Sequence, residues 1–396
     1  MPLGLYISVP FCRTKCTYCN FASDVFSRAR FENYVARLCA EIEQAPETCR
    51  QISGSFDALI DSIYFGGGTP TLLDVAQLEP VFVTIRQNLE VQRDAEITVE
   101  CAPGTLSEPM MSALARCGVN RVSLGVQSFV DQEARSVGRL HNRETALSDI
   151  ARLRAAGIAN INVDLIAGLP HQTRESWEES VGALIDTGVP HASIYMLEVD
   201  EDSRLGRELI AGGQKYHAHF VPDEDSTADL YERACERLNA AGIAQYEISN
   251  FAKVGFESRH NLKYWTRQPY LGFGVDAHSM LISGTGKAGV RFCDPDSLDK
   301  YLVGAPRQST PVSAEQALEE TFFLGLRLNR GVDLRSVSES FGRERVDSVM
   351  ATIDELIRNG LLQRSGENIG LTPRGRVLSN EVFQKFIAIS SDALVS

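Results

Sequence analysis

The sequence predicts an α/β protein whose first half is a full or partial (β/α) barrel. Three observations predict it. Short β-rich runs alternate with amphipathic helical stretches, as in a parallel sheet with helical crossovers. Polar residues able to do chemistry gather where successive runs end, as they do at the C-terminal face of a barrel. From about residue 313 the alternation gives way to helix, helix, helix and hairpin, the order of a winged-helix unit.

The strand candidates are LYISV (5–9), SIYF (62–65), EITVE (96–100), RVSLGV (121–126), NINVDLI (160–166) and ASIYML (192–197). Helical patterns such as FENYVARLCAEIEQ (31–44) and ETALSDIARLRAAG (144–157) lie between them, the second stopping on Gly157. Three cysteines follow the first run, and Gly66–Gly67–Gly68–Thr69 follows the second. Glu100 ends the third, Gln127 follows the fourth, Asp164 lies near the end of the fifth, and Glu198 follows the sixth. Any one of these could be a turn or a cap. Their shared placement argues for a site.

Past residue 200 the pattern becomes irregular. LIAGGQKYHAHFVPDED (209–225) reads as a mobile loop, and QYEISNFA, HNLKYW and the glycine-rich YLGFGVDAHSML follow. The expected division is a barrel with the site over 1–200, an extension of it carrying HNLKYW over 201–310, and the winged-helix-like α+β unit over 311–396. No internal repeat is visible. Over 331–376 arginines and acids are equal in number, so that unit reads as a structural or partner-binding cap rather than a DNA reader.

Composition narrows the function classes. The 396 residues carry Lys+Arg 39 against Asp+Glu 52, a net charge of −13, which opposes general nucleic-acid binding. The first residues lack the charged region and the cleavage site expected of a signal peptide, and no apolar run reaches the roughly 18 residues that span a bilayer. Nine cysteines, an odd number with three crowded together, do not read as a disulfide framework. The expected location is the cytoplasm, in a reducing compartment.

The crowded cysteines, Cys12, Cys16 and Cys19, are spaced C-x3-C-x2-C. Zinc would want a fourth Cys or His, and no histidine occurs before His141. A [4Fe–4S] cubane on three thiolates leaves one iron open to a small ligand. Both readings stand on spacing alone.

The segment resembles the signature of the radical S-adenosylmethionine (SAM) superfamily, C-x3-C-x-aromatic-C, with Tyr18 as the aromatic residue. The resemblance implies a [4Fe–4S] cluster whose open iron is chelated by SAM, the missing ligand then being a cosubstrate. YFGGGTP resembles the glycine motif of that superfamily, where only glycine lets the backbone approach the methionine amino group. By the same resemblance Tyr6, Gly67, Gly68, Thr69, Glu100, Gln127, Arg139 and Asp164 match SAM-contacting positions. Their chemistry is suitable: Arg139 can grip a carboxylate, Glu100 can accept from an amino group, and Gln127 and Asp164 can bond ribose hydroxyls.

Over nearly the whole chain, including GLPHQT (168–173), the resemblance is to the anaerobic coproporphyrinogen III oxidase group, and within it to the HemW haem-chaperone branch. The oxidases carry a fourth cysteine two residues after the third, where this chain has Phe21, and a longer N-terminal arm. HNLKYW matches the haem-associated motif of the HemW branch, which implies His260 as an axial nitrogen and Tyr264 and Trp265 as flat apolar faces. His278, Cys101 and Cys293 are weaker ligand candidates. The implied partners are haem, recipient haemoproteins such as respiratory enzymes, an electron donor for the cluster and a second copy of the chain, with contact at the inner membrane. The competing reading is an oxygen-independent coproporphyrinogen III oxidase, or another radical SAM enzyme.

Overall fold

Six strands lie in chain order across one sheet, all parallel: β1 (Leu3–Val9), β2 (Leu59–Gly67), β3 (Glu90–Cys101), β4 (Arg121–Gln127), β5 (Asn160–Ala167) and β6 (His191–Met196). The computed structural model describes residues 1–53, 59–282 and 288–387. Continuous runs such as LGLYISV are buried along almost their whole length, which is what a strand covered on both faces requires. Helices fill the crossovers. The first, Ala29–Ser53, runs past the expected end at 44 and carries Pro46 inside it, where the ring costs one backbone donor without ending the helix.

Residues beyond 200 extend both edges of this sheet. β7 (Ala244–Gln245) and β8 (Asn250–Ala252) add antiparallel strands beside β6. β9 (Tyr270–Gly274) pairs parallel with β1, followed by antiparallel β10 (His278–Ile282), β11 (Gly289–Cys293) and β12 (Gln308–Val312). The order β12-β11-β10-β9-β1-β2-β3-β4-β5-β6-β8-β7 is linear, so the barrel is partial. HNLKYW forms a short helix, Arg259–Trp265, with the Ser258 side chain accepting from Asn261 N.

The stretch expected as a mobile loop, 209–225, is more structured than that. It begins inside the helix Arg204–Ala211 and contains a 3-10 turn at Ala218–Phe220. Leu205 is fully buried, so that helix has an apolar anchor just before residue 209.

A second hydrophobic core gathers Phe322, Val349, Ile353, Ile369 and Phe386. It holds the helices Ala314–Gly325, Leu334–Phe341 and Arg343–Arg358 against a three-stranded sheet, β13 (Val332–Asp333), β15 (Asn368–Leu371) and β14 (Leu362–Ser365), the winged-helix arrangement. Ion pairs join it to the barrel: the buried Glu320 meets the buried Arg267 at 2.7 Å and the partly exposed Arg291 at 3.1 Å. Among the described residues, no helix is long and apolar enough to cross a membrane.

Candidate functional site

The cysteine loop leaves β1 at Pro10 and closes on itself. Cys12 N donates to Asp24 O and Asp24 N to Pro10 O, both at 3.0 Å. Between these pins, Thr17 N donates to Val137 O, Thr14 Oγ1 to Gly138 O, and Leu205 N to Thr17 O. Tyr18 packs on a small apolar cluster of Val137, Ile166 and Leu169 at the tops of the later strands. The aromatic residue of the motif is therefore an anchor for the loop.

The glycine turn is stapled to the base of that loop. Gly68 N donates to Val9 O and Thr69 N to Phe11 O, each at 2.7 Å. Gly67 has φ +98, in the left-handed region that favours glycine. A Cβ on Gly68 would lie 2.5 Å from Phe11 O, so this glycine faces the cysteine loop. A Cβ on Gly66 would meet Glu100 Oε1 at 3.1 Å and the Tyr6 ring at 3.1 Å, so the glycine facing the strand-end carboxylate is Gly66. The resemblance had singled out Gly67, Gly68 and Thr69.

Glu100 sits recessed at the end of β3, where Tyr64 Oη donates to its Oε1 at 2.8 Å. Burial, and then the nearby Asp164 charge, push its carboxyl up to about 8, against the Tyr64 and Gly67 hydrogen bonds. Asp164 is also raised by burial, although Asn162 Nδ2 donates to it at 2.6 Å and Ser123 Oγ at 3.2 Å. Gln127 has φ +69, a conformation few side-chain-bearing residues adopt, at a register shift between β4 and β5. Arg139 Nη1 lies 3.5 Å from Cys16 Sγ, and its Nη2 donates to Gly125 O. A Cβ on Gly125 would meet both Arg139 and Gln127 within 3.0 Å. Sequence reasoning missed Gly125, whose only sign was a glycine inside a strand. Glu198 is exposed beyond β6.

The three cysteines are free thiols of intermediate exposure. Burial raises the Cys12 and Cys19 thiols, and the charges of their cysteine neighbours raise them further. Desolvated, mutually opposed thiols gain from a shared cationic centre, and soft sulfur donors suit iron–sulfur clusters. Among the described residues, no group of three His, Cys, Asp or Glu side chains is arranged to hold a metal ion. A zinc ion needs its donors gathered around one point, whereas a cubane takes each thiolate on a different iron. The loop, the Gly66 gap and the recessed carboxylate suit a three-thiolate cubane and a small zwitterion beside it.

A cavity of about 300 Å³ opens next to this site. Its walls include Tyr6, Phe21, Gly67, Gly68, Tyr264, Tyr270 and His278. Of the HNLKYW residues only Tyr264 lines it. His260, expected as an axial haem ligand, is buried in this structure. Its ring is 1 % exposed, with Nδ1 3.0 Å from Ser62 Oγ and Nε2 2.8 Å from Tyr264 Oη. Burial, and then the Lys263 charge, lower it to about 3, so it is a neutral ring with both nitrogens engaged. Trp265 likewise faces away, its ring 4.3 Å from the Arg327 guanidinium of the C-terminal unit.

Comparison with known proteins agrees with this architecture. The model of the radical SAM superfamily matches residues 6–184, and that of the HemN C-terminal domain matches residues 312–378. The chain is 34% identical to the haem chaperone HemW of Bacillus subtilis, over 96% of this chain and 98% of that one. It is 30% identical to HemW of Escherichia coli, over 98% of each. The bovine mitochondrial radical S-adenosyl methionine domain-containing protein 1 is 32% identical over 83% of this chain and 74% of that one. In fold the chain is similar to the solved structure of coproporphyrinogen III oxidase (HemN) from Escherichia coli, with a TM-score of 0.81, 23% identity, and 97% and 90% of the two chains covered.

Proposed function

Because this chain belongs to the HemW family of the radical SAM superfamily, we propose that it binds haem and delivers it to haemoproteins, with a [4Fe–4S] cluster and SAM held in the mouth of its barrel. The observation that carries this reading is the cavity walled by Tyr6, Gly67, Tyr264 and Tyr270, which sets an aromatic surface beside the cysteine loop. Aromatic faces at such a wall suit a flat porphyrin.

Cys12, Cys16 and Cys19 would hold the cluster, which supplies one-electron reducing power to a bound sulfonium. In the same reading the backbone at Gly66–Gly67 admits the methionine end, and Glu100 accepts from its amino group. Arg139 pairs with its carboxylate, while Gln127 and Asp164 take the ribose hydroxyls. Tyr6 closes the side next to the cavity. Phe21, which is 62% exposed at the cavity rim, stands where the oxidases of the wider group have a fourth cysteine. That departure favours the chaperone over the oxidase. The same proposal places the protein in the cytoplasm, with respiratory haemoproteins as recipients, an electron donor for the cluster, and contact at the inner membrane.

The test is anaerobic. With the cluster reconstituted, ferric haem is offered in one vessel, and coproporphyrinogen III with SAM and reductant in another. Haem bound in equimolar amount with no protoporphyrinogen formed is the expected result. Protoporphyrinogen production would overturn the reading.

A further inference from the structure

We propose that the barrel interior, toward the strand ends away from the cysteine loop, binds one small monovalent anion, a halide or the carboxylate of a small acid, on the side chain of Arg121.

The inference follows from a row of polar groups that the fold buries and leaves without partners. Arg121 opens β4 and is 1% exposed, yet its Nε and Nη1 have no hydrogen-bond partner. Lys263, Arg267 and Arg307 each meet a carboxylate at 2.7–2.8 Å, whereas Arg121 enters no ion pair among the described residues. Thr98 on β3 and Asn160 on β5 are the register partners of Arg121, so the three side chains leave the sheet on one face. Thr98 Oγ1 and Asn160 Oδ1 are also buried without a partner. The next row on that face is Glu100, Ser123 and Asn162, and its groups are engaged. Asn162 Nδ2 donates to Ser123 Oγ at 2.7 Å and to Ser193 Oγ at 3.0 Å, and Tyr64 Oη donates to Glu100. Four residues of β4, about 13 Å of strand, separate Arg121 from Gly125, whose carbonyl holds Arg139, so this row is distinct from the site at the mouth.

The surroundings set the sign and size of the ligand. The Arg121 charge acts on Tyr64, Glu100, Asp164, His191, Tyr246 and His260. Burial keeps both histidines neutral and pushes Glu100 up to about 8, so at neutral pH that carboxyl is mostly protonated and does not balance the guanidinium. A buried polar group without a protein partner calls for water or an ion. Water supplies lone pairs without charge, whereas a small anion supplies both. Arg121 donates through Nε and Nη1, the Thr98 hydroxyl can donate as well, and the Asn160 amide presents its Nδ2 by a half-turn about Cβ–Cγ. One unbalanced positive charge selects a monovalent ion, because a dianion would leave a surplus charge out of water.

The experiment measures the thermal midpoint of the full-length protein, purified anaerobically, against millimolar potassium bromide and potassium formate. Potassium gluconate, whose anion is too large to enter, holds the ionic strength constant. Crystals grown in bromide are read by anomalous scattering. Bromide, formate or both should raise the wild-type midpoint saturably, by about 2 °C or more over gluconate. A bromide response with an anomalous peak beside Arg121 Nε or Nη1 assigns a halide, and a response to formate alone assigns a carboxylate. Arg121→Met should lose the response. Thr98→Val, which keeps the guanidinium, should need a several-fold higher concentration for half the effect. Equal wild-type midpoints in bromide, formate and gluconate overturn the proposal. An undiminished response in Arg121→Met does so too or, where that variant does not fold, an undiminished response in Thr98→Val.

Discussion

Tyr64 Oη donates to Glu100 Oε1 at 2.8 Å, linking the end of β2 to the end of β3 directly under the glycine turn. The bond offsets only part of the cost of a carboxylate there, because Glu100 stays raised to about 8 by burial and by Asp164. The folded carboxyl thus holds its proton more tightly than the unfolded one. Stability is greatest while Glu100 is protonated, and it falls as pH rises from the ordinary carboxyl value toward 8.

Glu100→Gln removes that penalty and also removes the acceptor for a SAM amino group. The variant should melt higher than the wild type by a margin that grows between pH 5 and pH 9, on the order of a few kcal/mol at the alkaline end. Its SAM affinity should drop about tenfold or more and lose the wild type's rise with pH below 8. Calorimetric SAM titrations at several pH values, alongside thermal melts, measure both. An unchanged pH slope in the variant would remove Glu100 from the site.

Gly68 makes the cysteine loop depend on the glycine turn. An added Cβ would sit 2.5 Å from Phe11 O and 2.9 Å from Val9 O, both backbone atoms that cannot swing aside. Gly68→Ala should cost about 1–3 kcal/mol and displace the loop from its two backbone bonds to the turn. Iron and sulfide content after anaerobic reconstitution should fall well below the wild-type value. Gly67→Ala should act instead through backbone strain at φ +98. Full cluster occupancy in Gly68→Ala would show that the loop does not need the turn.

The six parallel strands were legible because each is a buried apolar run between helical patterns, and the cysteine loop because its spacing is local. What escaped depends on contacts distant in sequence. β9 lies beside β1 although Gly4 and Tyr270, one of the pairs, are 266 residues apart, and no local pattern announces that pairing. Gly66 and Gly125 matter through side chains on other strands, Glu100 and Arg139. Nothing within HNLKYW shows that Ser62, on β2, lies 3.0 Å from His260 Nδ1.

Buried histidines set the acid limit of the fold. His260 is lowered to about 3 and His141 to about 4, each chiefly by burial, and His191 is lowered well below its ordinary value for the same reason. The unfolded chain takes up these protons below about pH 6.5 while the folded chain does not. Stability present at neutral pH is therefore lost as pH falls from 6.5 toward 4, each ring contributing up to about 1.4 kcal/mol per pH unit. Denaturant unfolding at pH 7, 6 and 5 should show the loss, and His260→Gln should make it shallower while lowering stability at pH 7. An equally steep acid loss in that variant would exclude His260 as a contributor.

Glu320 ties the winged-helix unit to the cavity wall. Its carboxylate reaches Arg267 at 2.7 Å and Arg291 at 3.1 Å, with Glu320 and Arg267 each only 7% exposed. Arg267 follows the Arg259–Trp265 helix, and Arg291 lies on β11 close enough to influence Tyr270 electrostatically. Truncating Glu320 would remove the carboxylate 2.7 Å from the buried Arg267 guanidinium, and breaking a buried pair costs about 3–5 kcal/mol where it has been measured. Glu320→Ala should therefore separate the unfolding of the two cores, giving two calorimetric transitions where the wild type gives one. Because Tyr264 and Tyr270 share the loosened wall and pack edge to face with ring centres 4.7 Å apart, haem affinity should fall with it. SAM affinity, set at the far ends of β2 to β5, should not. A single transition with unchanged haem binding would show that the C-terminal unit is carried by the barrel without supporting its site.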